Sequence, residues 1–363
     1  MKKHKILCLA QLPPPVHGAS MMNKYIKDSE KISTAFDVSF LPLSFTEKID
    51  DIGKLSFKKI FKMIAFCLKL IKAIIQTKPD LVYFTIAPFG GAFYRDALFV
   101  FIIKLFRKKI VFHLHGKGIA EESKNAFKKK IYQFTFKNSN VITLSKMLDY
   151  DVEEVFHGRI YHLANGIETN KTTQHNEWTE SIKVLYLSNL VKSKGILDFI
   201  EALELIKNLN VAYEVDIVGN SADLSIEELK TLINKKGLSS KIKVHGPKYG
   251  HDKWEALQRS DIFVFPTKND CFPLVLLEAM QSRNAIISTN NGAIEEIIRN
   301  CGLIVPQNSP KELAVALKAL ITNPERVQIL KEKSRKEFET KYTLDIFENN
   351  LVQILKAVLN ENL

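Results

Sequence analysis

The chain alternates short apolar runs with longer stretches of helical periodicity, and it does so twice. In the first half the apolar runs are HKILCLA, DLVYFTIAP, KIVFHLHG and NVITLS, each ending in turn residues. The second half repeats the arrangement with IKVLYLSNL, YEVDIVGN, IKVHGP, DIFVFPT, AIISTN and GLIVPQ. Strands alternating with helices predict a parallel sheet covered on both faces. The pattern therefore predicts an α/β protein made of two doubly wound, Rossmann-like domains.

A polar segment separates the two halves of the pattern. KTTQHNEWTES has almost no apolar residues and is typical of a linker. We therefore expect a first domain over 1–168, a linker over 169–181 and a second domain over 182–342. The helical stretch within 343–363 lies beyond what the second sheet needs. A length of 363 residues agrees with two domains rather than one.

Composition indicates a globular protein of a reducing compartment. Hydrophobic residues make up 46% and charged residues 25% of the chain, which argues against wholesale disorder. The basic start lacks the apolar core of a signal peptide, and no apolar run reaches the length of a membrane span. The four cysteines, Cys8, Cys67, Cys271 and Cys301, match neither a zinc pattern nor a redox pair. We expect a cytoplasmic protein.

The positive charge lies entirely in the first half. Residues 1–170 hold 27 Lys and Arg against 15 Asp and Glu, a net +12, whereas 171–363 hold 25 of each kind. A basic half can serve nucleic acid, an anionic membrane surface or an anionic substrate, or can be a solvated lysine-rich surface. No nucleic-acid-binding motif accompanies the charge, so we expect no nucleic acid partner.

One basic helix is predicted within KLSFKKIFKMIAFCLKLIKAII. At 100° per residue, five of its lysines fall within an arc of about 80°: Lys54, Lys58, Lys62, Lys69 and Lys72. Much of the remaining surface is apolar, through Ile60, Phe61, Ile64, Leu68, Ile71 and Ile75. The pattern fits an amphipathic helix packed on its sheet with its lysines in water. It also fits a helix that lies at an anionic membrane surface. The stretch KNAFKKKIYQFTFK adds a second basic cluster, which favours this alternative.

Candidate ligand groups follow the ends of the predicted strands, where open α/β sheets bind their ligands. Gly18 in PPPVHGAS stands between a strand and a helix, as does Gly195 in SNLVKSKG. Lys192 and Lys194 precede a helix start whose N–H groups favour an anion. Each motif alone fits an ordinary strand-to-helix turn. We expect the loops of both domains to converge on one cleft.

The stretch NDCFPLVLLEAM carries one acid at each end of an apolar helix. Asp270 fits a helix N-cap and Glu278 fits an exposed helical residue. The neighbours of Glu278 are all apolar, however, and a carboxylate among them needs hydrogen-bonding partners. Sugar hydroxyls at the two acids and a phosphate at the intervening helix N-terminus would satisfy all three. This arrangement describes a nucleotide sugar.

Taken together, these motifs resemble the retaining glycosyltransferases of family 4, such as bacterial enzymes of surface polysaccharide biosynthesis. The resemblance runs from PPPVHG through HLHG and SNLVKSKG to NDCFPLVLLEAM and NNGAIEE. It implies a GT-B fold, in which two Rossmann-like domains face a central cleft and a final helix returns to the first domain. It also implies a hexosyltransferase that uses no metal and no cofactor.

The resemblance assigns roles by position. Glu278 corresponds to the acid that binds the ribose, and Asp270 stands in place of a glutamate facing the donor sugar. Lys194 matches the diphosphate lysine, and Asn189 replaces the family's arginine. His115 matches the active-site histidine, whereas His113 is expected to be structural. The remaining donor-binding expectations are Gly18, Gly195, Phe272, Pro273, Leu274 and Glu295, and the acceptor-binding ones are His17 and Lys117.

The implied substrates are a UDP- or GDP-linked sugar and a glycan or lipid-linked acceptor. A lipid-linked acceptor would place the protein at the inner face of the membrane. Three other interpretations stay open: a GT-B epimerase or phosphorylase, a catalytically inactive nucleotide-sugar-binding relative, and a two-lobed solute-binding protein. Turnover separates the inactive relative from a transferase, and donor hydrolysis products identify the other enzymes.

Overall fold

The computed structural model describes residues 3–43, 57–170 and 181–361, with the backbone alone for 57–60. Most of the predicted linker and Lys54 lie outside the described residues. The chain forms two compact units. Unit 1 comprises Met1–Asn165 and Leu344–Leu363, and unit 2 comprises Gly166–Thr343.

Unit 1 is built on a parallel sheet, as the alternating pattern predicts, but the sheet has six strands where the sequence showed four apolar runs. The strands are β1 (Lys5–Ala10), β2 (Asp37–Pro42), β3 (Leu81–Phe84), β4 (Lys109–His113), β5 (Asn140–Thr143) and β6 (Ile160–His162). Their order is β2-β1-β3-β4-β5-β6. The chain reverses direction across the sheet between β1 and β3, and such a switch point opens a crevice at the carboxyl ends of the two strands.

Among the described residues of the first chain segment, six α-helices flank this sheet. They are α1 (Gly18–Asp28), α2 (Glu30–Ala35), α3 (Phe57–Thr77), α4 (Gly90–Leu105), α5 (Ile119–Glu122) and α6 (Ala126–Phe136). The stretch SMMNKYIKDSEKIS predicts one continuous helix, but the structure forms two there, α1 and α2. The break falls at Ser29, whose hydroxyl accepts a hydrogen bond from the backbone N–H of Ile32 and so caps the new helix.

The helix α3 forms where its periodicity predicts, but a different stripe faces the sheet. Phe66, Leu70 and Ile74 are buried, whereas Phe61 and Leu68, counted above among residues that fit a packed face, are exposed. The helix packs on the sheet with Lys69 and Lys72 exposed, as one of the two interpretations expects, but the pattern alone does not identify the inner face. An apolar stripe is left on the outside of unit 1.

Unit 2 repeats the architecture. Its strands are β7 (Ile182–Leu187), β8 (Tyr213–Val218), β9 (Ile242–His245), β10 (Ile262–Phe265), β11 (Ala285–Thr289) and β12 (Gly302–Val305). Its helices are α7 (Ile196–Leu205), α8 (Ile226–Lys235), α9 (Gly250–Gln258), α10 (Leu274–Gln281), α11 (Ile294–Ile298), α12 (Pro310–Ile321) and α13 (Pro324–Lys341). All strands are parallel, in the order β12-β11-β10-β7-β8-β9. The switch point of this sheet lies between β7 and β10.

The chain then returns to unit 1 with α14 (Leu344–Asn360). Asp345 accepts a hydrogen bond from Lys31 of α2. Beyond the helix, the Glu361 carboxylate accepts a hydrogen bond from the Tyr161 hydroxyl at 2.6 Å. The Lys109 ammonium donates to the Leu359 carbonyl at 2.9 Å. Contacts to α2, β4 and β6 therefore fix this helix to unit 1. None of the described helices is long and apolar enough to cross a membrane.

Candidate functional site

The crevice predicted at the switch point of unit 1 is a cavity of about 420 Å³. Its polar lining comes from loops that follow β1, β3 and β4 and from α1 and α4: Gln11, His17, Asn23, Thr85, Arg95, Asp96 and His115. Leu43, Ile86, Ala92 and Pro88 give it an apolar wall. Polar groups converging on a partly apolar cavity are typical of a site for a small organic ligand.

The loop after β1 is held by a capping box. The His17 ring accepts at Nδ1 from the Ser20 backbone N–H at 3.3 Å, and the Ser20 hydroxyl accepts from the His17 N–H at 3.0 Å. Gly18 is the first residue of α1. His17 therefore has a structural role beside its place in the cavity wall, which leaves its Nε2 atom for a ligand.

The loop after β4 is held by Asp151. This carboxylate accepts hydrogen bonds from the backbone N–H groups of Gly118, Ile119 and Ala120 at 2.9–3.2 Å. Three such donors neutralise a buried acid and fix the loop that carries Lys117, which is half-buried. Asp151 lies 31 to 33 residues downstream of the three residues it binds, at the end of a 3₁₀ helix over Lys146–Asp151.

Two histidines lie at the end of β4, His113 as its last residue and His115 two residues beyond, with ring centroids 4.1 Å apart. His113 is fully buried and shares a 2.5 Å hydrogen bond between its Nδ1 and the Tyr83 hydroxyl, a structural role as expected. Burial and the nearby His17 lower the pKa of His115 to about 3. His115 is therefore a neutral imidazole at physiological pH. It can exchange hydrogen bonds with a ligand but brings no positive charge.

This burial predicts acid sensitivity of unit 1. Burial lowers the pKa of His113 well below its usual 6.5, so the unfolded chain binds a proton that the native state rejects. Stability should be full above about pH 6.5 and fall below it by up to about 1.4 kcal/mol per pH unit. Urea unfolding at several pH values should show the loss. His113→Gln, which keeps an acceptor for Tyr83, should remove the His113 part of this slope and leave that of His115, and His251→Gln, an exposed control, should leave the slope unchanged. An unchanged slope in His113→Gln would contradict the assignment.

Two buried polar atoms of this cavity have no partner among the described residues. The Asn23 amide donates to the Gln11 carbonyl at 2.9 Å and the Thr85 hydroxyl at 3.2 Å, but its Oδ1 accepts nothing. The Nε2 atom of His115 likewise has no hydrogen-bond partner among the described residues. Buried polar atoms are normally paired, and exceptions concentrate at functional sites. The cavity therefore offers an acceptor at Asn23 and a ring nitrogen at His115 to a ligand.

An ion pair forms at the switch point of unit 2, between the loops that follow β7 and β10. The Lys194 ammonium lies 2.9 and 2.7 Å from the two carboxylate oxygens of Asp270. The Thr267 hydroxyl donates to the same carboxylate at 2.7 Å, and Asn291 accepts from the Asp270 backbone N–H at 2.8 Å. An ammonium has three donors, so Lys194 keeps one beyond this pair. The alternative of Asp270 as an N-cap is wrong, because Pro273 occupies the cap of α10.

Two glycines allow these loops to approach closely. Gly195 has φ of +78°, and a β-carbon there would lie 2.0 Å from the Pro266 carbonyl oxygen. Gly292 has φ of +56°, and its β-carbon would lie 2.3 Å from the Asp270 carbonyl oxygen. The glycine of NNGAIEE therefore lets a third loop reach the backbone of Asp270.

The acid inside α10 has a partner that the sequence pattern does not reveal. Glu278 accepts from Lys253 of α9, with 2.6 Å between Oε1 and Nζ. Burial raises the pKa of Glu278 while Lys253 opposes the shift. The side chain is only 16% exposed, so the interpretation as an exposed helical residue is wrong. Because one ammonium cannot saturate both oxygens, Glu278 retains acceptor capacity for a ligand.

The other predicted donor-side residues differ in position. Leu274 begins α10, whose first backbone N–H groups lie between the two acids, whereas Pro273 has no N–H to contribute. Phe272 is buried with its ring against Tyr342, which leaves only its backbone for a ligand. Asn189 is exposed two residues after the end of β7, and Glu295 pairs with Arg299 at 3.5 Å. Among the described residues, no hydrogen bond or ion pair joins these last two to Asp270.

Lys253, Thr267 and Asn291 escape prediction because their partners are set by sheet order. Nothing in the pattern of α9 distinguishes Lys253 from a surface lysine. Among the described residues one group of three potential metal ligands was found, His251, Asp252 and Glu255, with ligand atoms within 4.8 Å of one another. His251 and Asp252 are exposed, as is common in the absence of a metal.

Part of the chain matches a known protein family, and its fold matches solved structures. Residues 168–337 match the family model of glycosyl transferases group 1. This group 1 segment contains Lys194, Asp270 and Glu278. The structure resembles Anabaena HepE in complex with UDP, with a TM-score of 0.77 and 16% identity over 97% of this chain and 100% of that one. The GT-B fold class predicted from the sequence is thereby confirmed.

Relatives with curated descriptions are glycosyltransferases, some of them of polysaccharide biosynthesis. The chain is 25% identical over 201 residues to the capsular polysaccharide biosynthesis glycosyltransferase CapM of Staphylococcus aureus, covering 54% of this chain and 52% of CapM. It is 26% identical over 235 residues to an uncharacterized glycosyltransferase of Methanocaldococcus jannaschii, covering 63% of each. The matches thus span about half to two thirds of these relatives.

Proposed function

We propose that the protein is a retaining glycosyltransferase of the family 4 type. It would transfer a sugar from a UDP- or GDP-linked donor to a hydroxyl of a glycan acceptor in surface polysaccharide biosynthesis. The observation that carries the proposal is the constellation around α10: Lys194 on Asp270 before its N-terminus and Lys253 on Glu278 within it. Charge of both signs beside the N-terminus of a helix suits a ligand with phosphates and hydroxyls.

The donor would bind along α10. Phosphate oxygens take the remaining Lys194 donor and the N–H groups at the start of the helix, where the helix dipole adds to the attraction. The ribose hydroxyls donate to Glu278, and the hydroxyls of the donor sugar donate to Asp270. The support from relatives is that HepE has been solved with UDP and with UDP-glucose.

The transfer would proceed on one face of the sugar. The bond between the anomeric carbon and the diphosphate oxygen breaks, and its electron pair leaves with the diphosphate, which Lys194 stabilises. The acceptor oxygen forms the new bond from the same side, and its proton passes to the departing phosphate oxygen. Asp270 and His115 are the proposed catalytic residues, positioning the sugar while its positive charge develops. No step needs a metal or a cofactor.

The cavity of unit 1 is the proposed acceptor site. Asn23 Oδ1 and His115 Nε2 have no partner among the described residues, and sugar hydroxyls are donors and acceptors of the right kind. The apolar wall suits the face of a pyranose ring, and His17 and Lys117 lie in flanking loops. A lipid-linked acceptor would place the enzyme at the cytoplasmic face of the membrane.

Calorimetric titration with UDP and GDP tests the donor site. Micromolar binding of one of them is expected, and Glu278→Ala should weaken it by about tenfold or more, because a buried acceptor for the ribose hydroxyls is lost. Glu296→Ala, an exposed acid of α11, is the matched control and should leave binding unchanged. Failure of both nucleotides to bind would overturn the donor site.

A catalytically inactive relative is the second candidate, favoured by Asp270 and Asn189 in place of the family's glutamate and arginine. Such a protein would bind the nucleotide and never release sugar from the donor. The protein is incubated with the UDP- or GDP-sugar that it binds, and release of free nucleotide is followed. A transferase releases the nucleotide and an inactive relative does not. An epimerase would instead release a nucleotide sugar whose sugar has been altered.

A further inference from the structure

Three helices of unit 1 share one face of its sheet. The connections β2 to β3, β3 to β4 and β4 to β5 all step in one direction across the sheet order, whereas β1 to β2 steps in the other. Since parallel crossovers are right-handed, α3, α4 and α6 lie on the face opposite α1. Direct packing of α4 against both α3 and α6 agrees with this. We call their outward side the α3–α4–α6 surface.

The outward side of α3 carries an apolar stripe. Phe61, Ile64, Leu68 and Ile75 are between 52 and 73% exposed. Their spacing of three, four and seven residues keeps them within about 60° of arc. The inner side already buries Phe66, Leu70 and Ile74 against the sheet, so the helix is apolar on two sides.

The neighbouring helix repeats the feature. Tyr94, Leu98, Phe101 and Leu105 of α4 are between 38 and 65% exposed and also fall within about 60° of arc. The surface continues onto α6, where the Phe134 ring lies 6.3 Å from that of Phe101. The Lys104 ammonium lies 4.9 Å above the same Phe134 ring. Contiguous exposed apolar surface of this extent marks an interaction site.

The charge of this surface identifies its occupant. Neither α3 nor α6 contains Asp or Glu, and the single acid of α4, Asp96, is buried against Arg95. Exposed cations surround the apolar stripes, among them Lys69, Lys72, Lys130 and Lys137. A second copy of the chain docked face to face would oppose like charges. Apolar side chains ringed by lysines instead match the acyl and anionic headgroup layers of a bilayer.

We propose that the α3–α4–α6 surface binds the face of an anionic phospholipid bilayer. The phenylalanines and leucines enter the headgroup and acyl boundary while the lysines meet lipid phosphates. Binding itself does not depend on the enzyme's activity, but the purpose of the surface rests on the proposed function. α4 lines the acceptor cavity with Ala92 and Arg95 and carries the stripe from Tyr94 onward, so it joins the two.

Co-sedimentation of the full chain with vesicles tests the proposal. Binding is expected to vesicles of phosphatidylcholine with phosphatidylglycerol, to weaken in high salt, and to be weak to phosphatidylcholine alone. The double variant Phe61→Ser with Leu68→Ser should bind at least about tenfold less, as should Lys69→Glu with Lys72→Glu. Val315→Ser with Ile329→Ser, which removes exposed apolar residues of unit 2, should bind as the parent does.

Three outcomes overturn the proposal: no binding to anionic vesicles at low salt, equal binding by the α3 variants, or self-association of the parent that these variants abolish. The last would assign the surface to a second copy of the chain. Nucleotide titration of the same preparations keeps the two proposals separate. A variant that binds UDP or GDP as tightly as the parent has an intact donor site. If the parent binds vesicles but neither nucleotide, the membrane-binding proposal stands and the proposed function is overturned.

Discussion

Replacing Lys194 by methionine is expected to lower the rate of sugar transfer by about 10²–10³-fold. An ammonium aimed at developing negative charge contributes this much in preorganised sites, because it needs no rearrangement during the reaction. Its removal also leaves the Asp270 carboxylate, only 17% exposed, with the Thr267 hydroxyl as its hydrogen-bond donor among the described side chains. A further cost of about 1–3 kcal/mol in stability is therefore expected.

A double-mutant cycle separates these two effects. Asp270→Asn alone should also be destabilising, whereas the pair Lys194→Met with Asp270→Asn should recover stability without recovering transfer. The neighbouring ion pair of Lys268 and Asp198, at 3.0 Å and of similar burial, supplies the matched control. Lys268→Met should lose comparable stability and keep transfer within a few fold. If the variant with both Lys194→Met and Asp270→Asn transferred sugar at the full rate, the Lys194–Asp270 ion pair would be only a structural contact.

Gly195→Ala is expected to destabilise unit 2 by more than about 3 kcal/mol. Two costs combine there: a positive φ of +78° and a β-carbon 2.0 Å from the Pro266 carbonyl oxygen. Because the clash is with backbone, relief requires the loop after β10 to move, and that loop carries Asp270. Nucleotide binding should therefore weaken along with stability.

Gly237→Ala provides the comparison for that prediction. Its φ is +68° and no atom lies within 4 Å of the added β-carbon. Only the left-handed conformation is then penalised, by about 1 kcal/mol. Urea unfolding of both variants measures the difference. Equal destabilisation would show that the approach of the two loops is looser than the structure indicates.

The sequence predicted the fold well because each step rests on local pattern. Alternating apolar runs and helical stretches predict parallel sheets, and the resemblance of successive loop motifs predicts the GT-B class, which the structural comparison confirms. Gly195 and Asp270 could be selected as candidates because both follow predicted strands, although each alone also fits an ordinary turn or a helix cap. The donor-side and acceptor-side roles assigned to individual residues stay predictions.

The parts that escaped prediction depend on neighbours distant in the chain. Lys253 meets Glu278 only because α9 and α10 belong to adjacent crossovers, and a single lysine on a polar helix carries no such signal. Periodicity revealed that α3 is amphipathic, yet it could not show that Phe66 and Leu70 face the sheet while Phe61 and Leu68 face outward. A helix apolar on two sides has two candidate inner faces, and the packing of α4 selects between them.

The return of α14 to unit 1 has a consequence for how the protein is made. Unit 1 consists of two chain segments with all of unit 2 between them. On the ribosome, the contacts of Lys31 and Tyr161 with Asp345 and Glu361 must wait until unit 2 has been synthesised. Unit 2 is one continuous segment and can fold as it emerges. Unit 2 can therefore complete its fold before unit 1, although unit 1 begins the chain. Fragments that end near residue 165 would expose the surface of unit 1 that α14 covers.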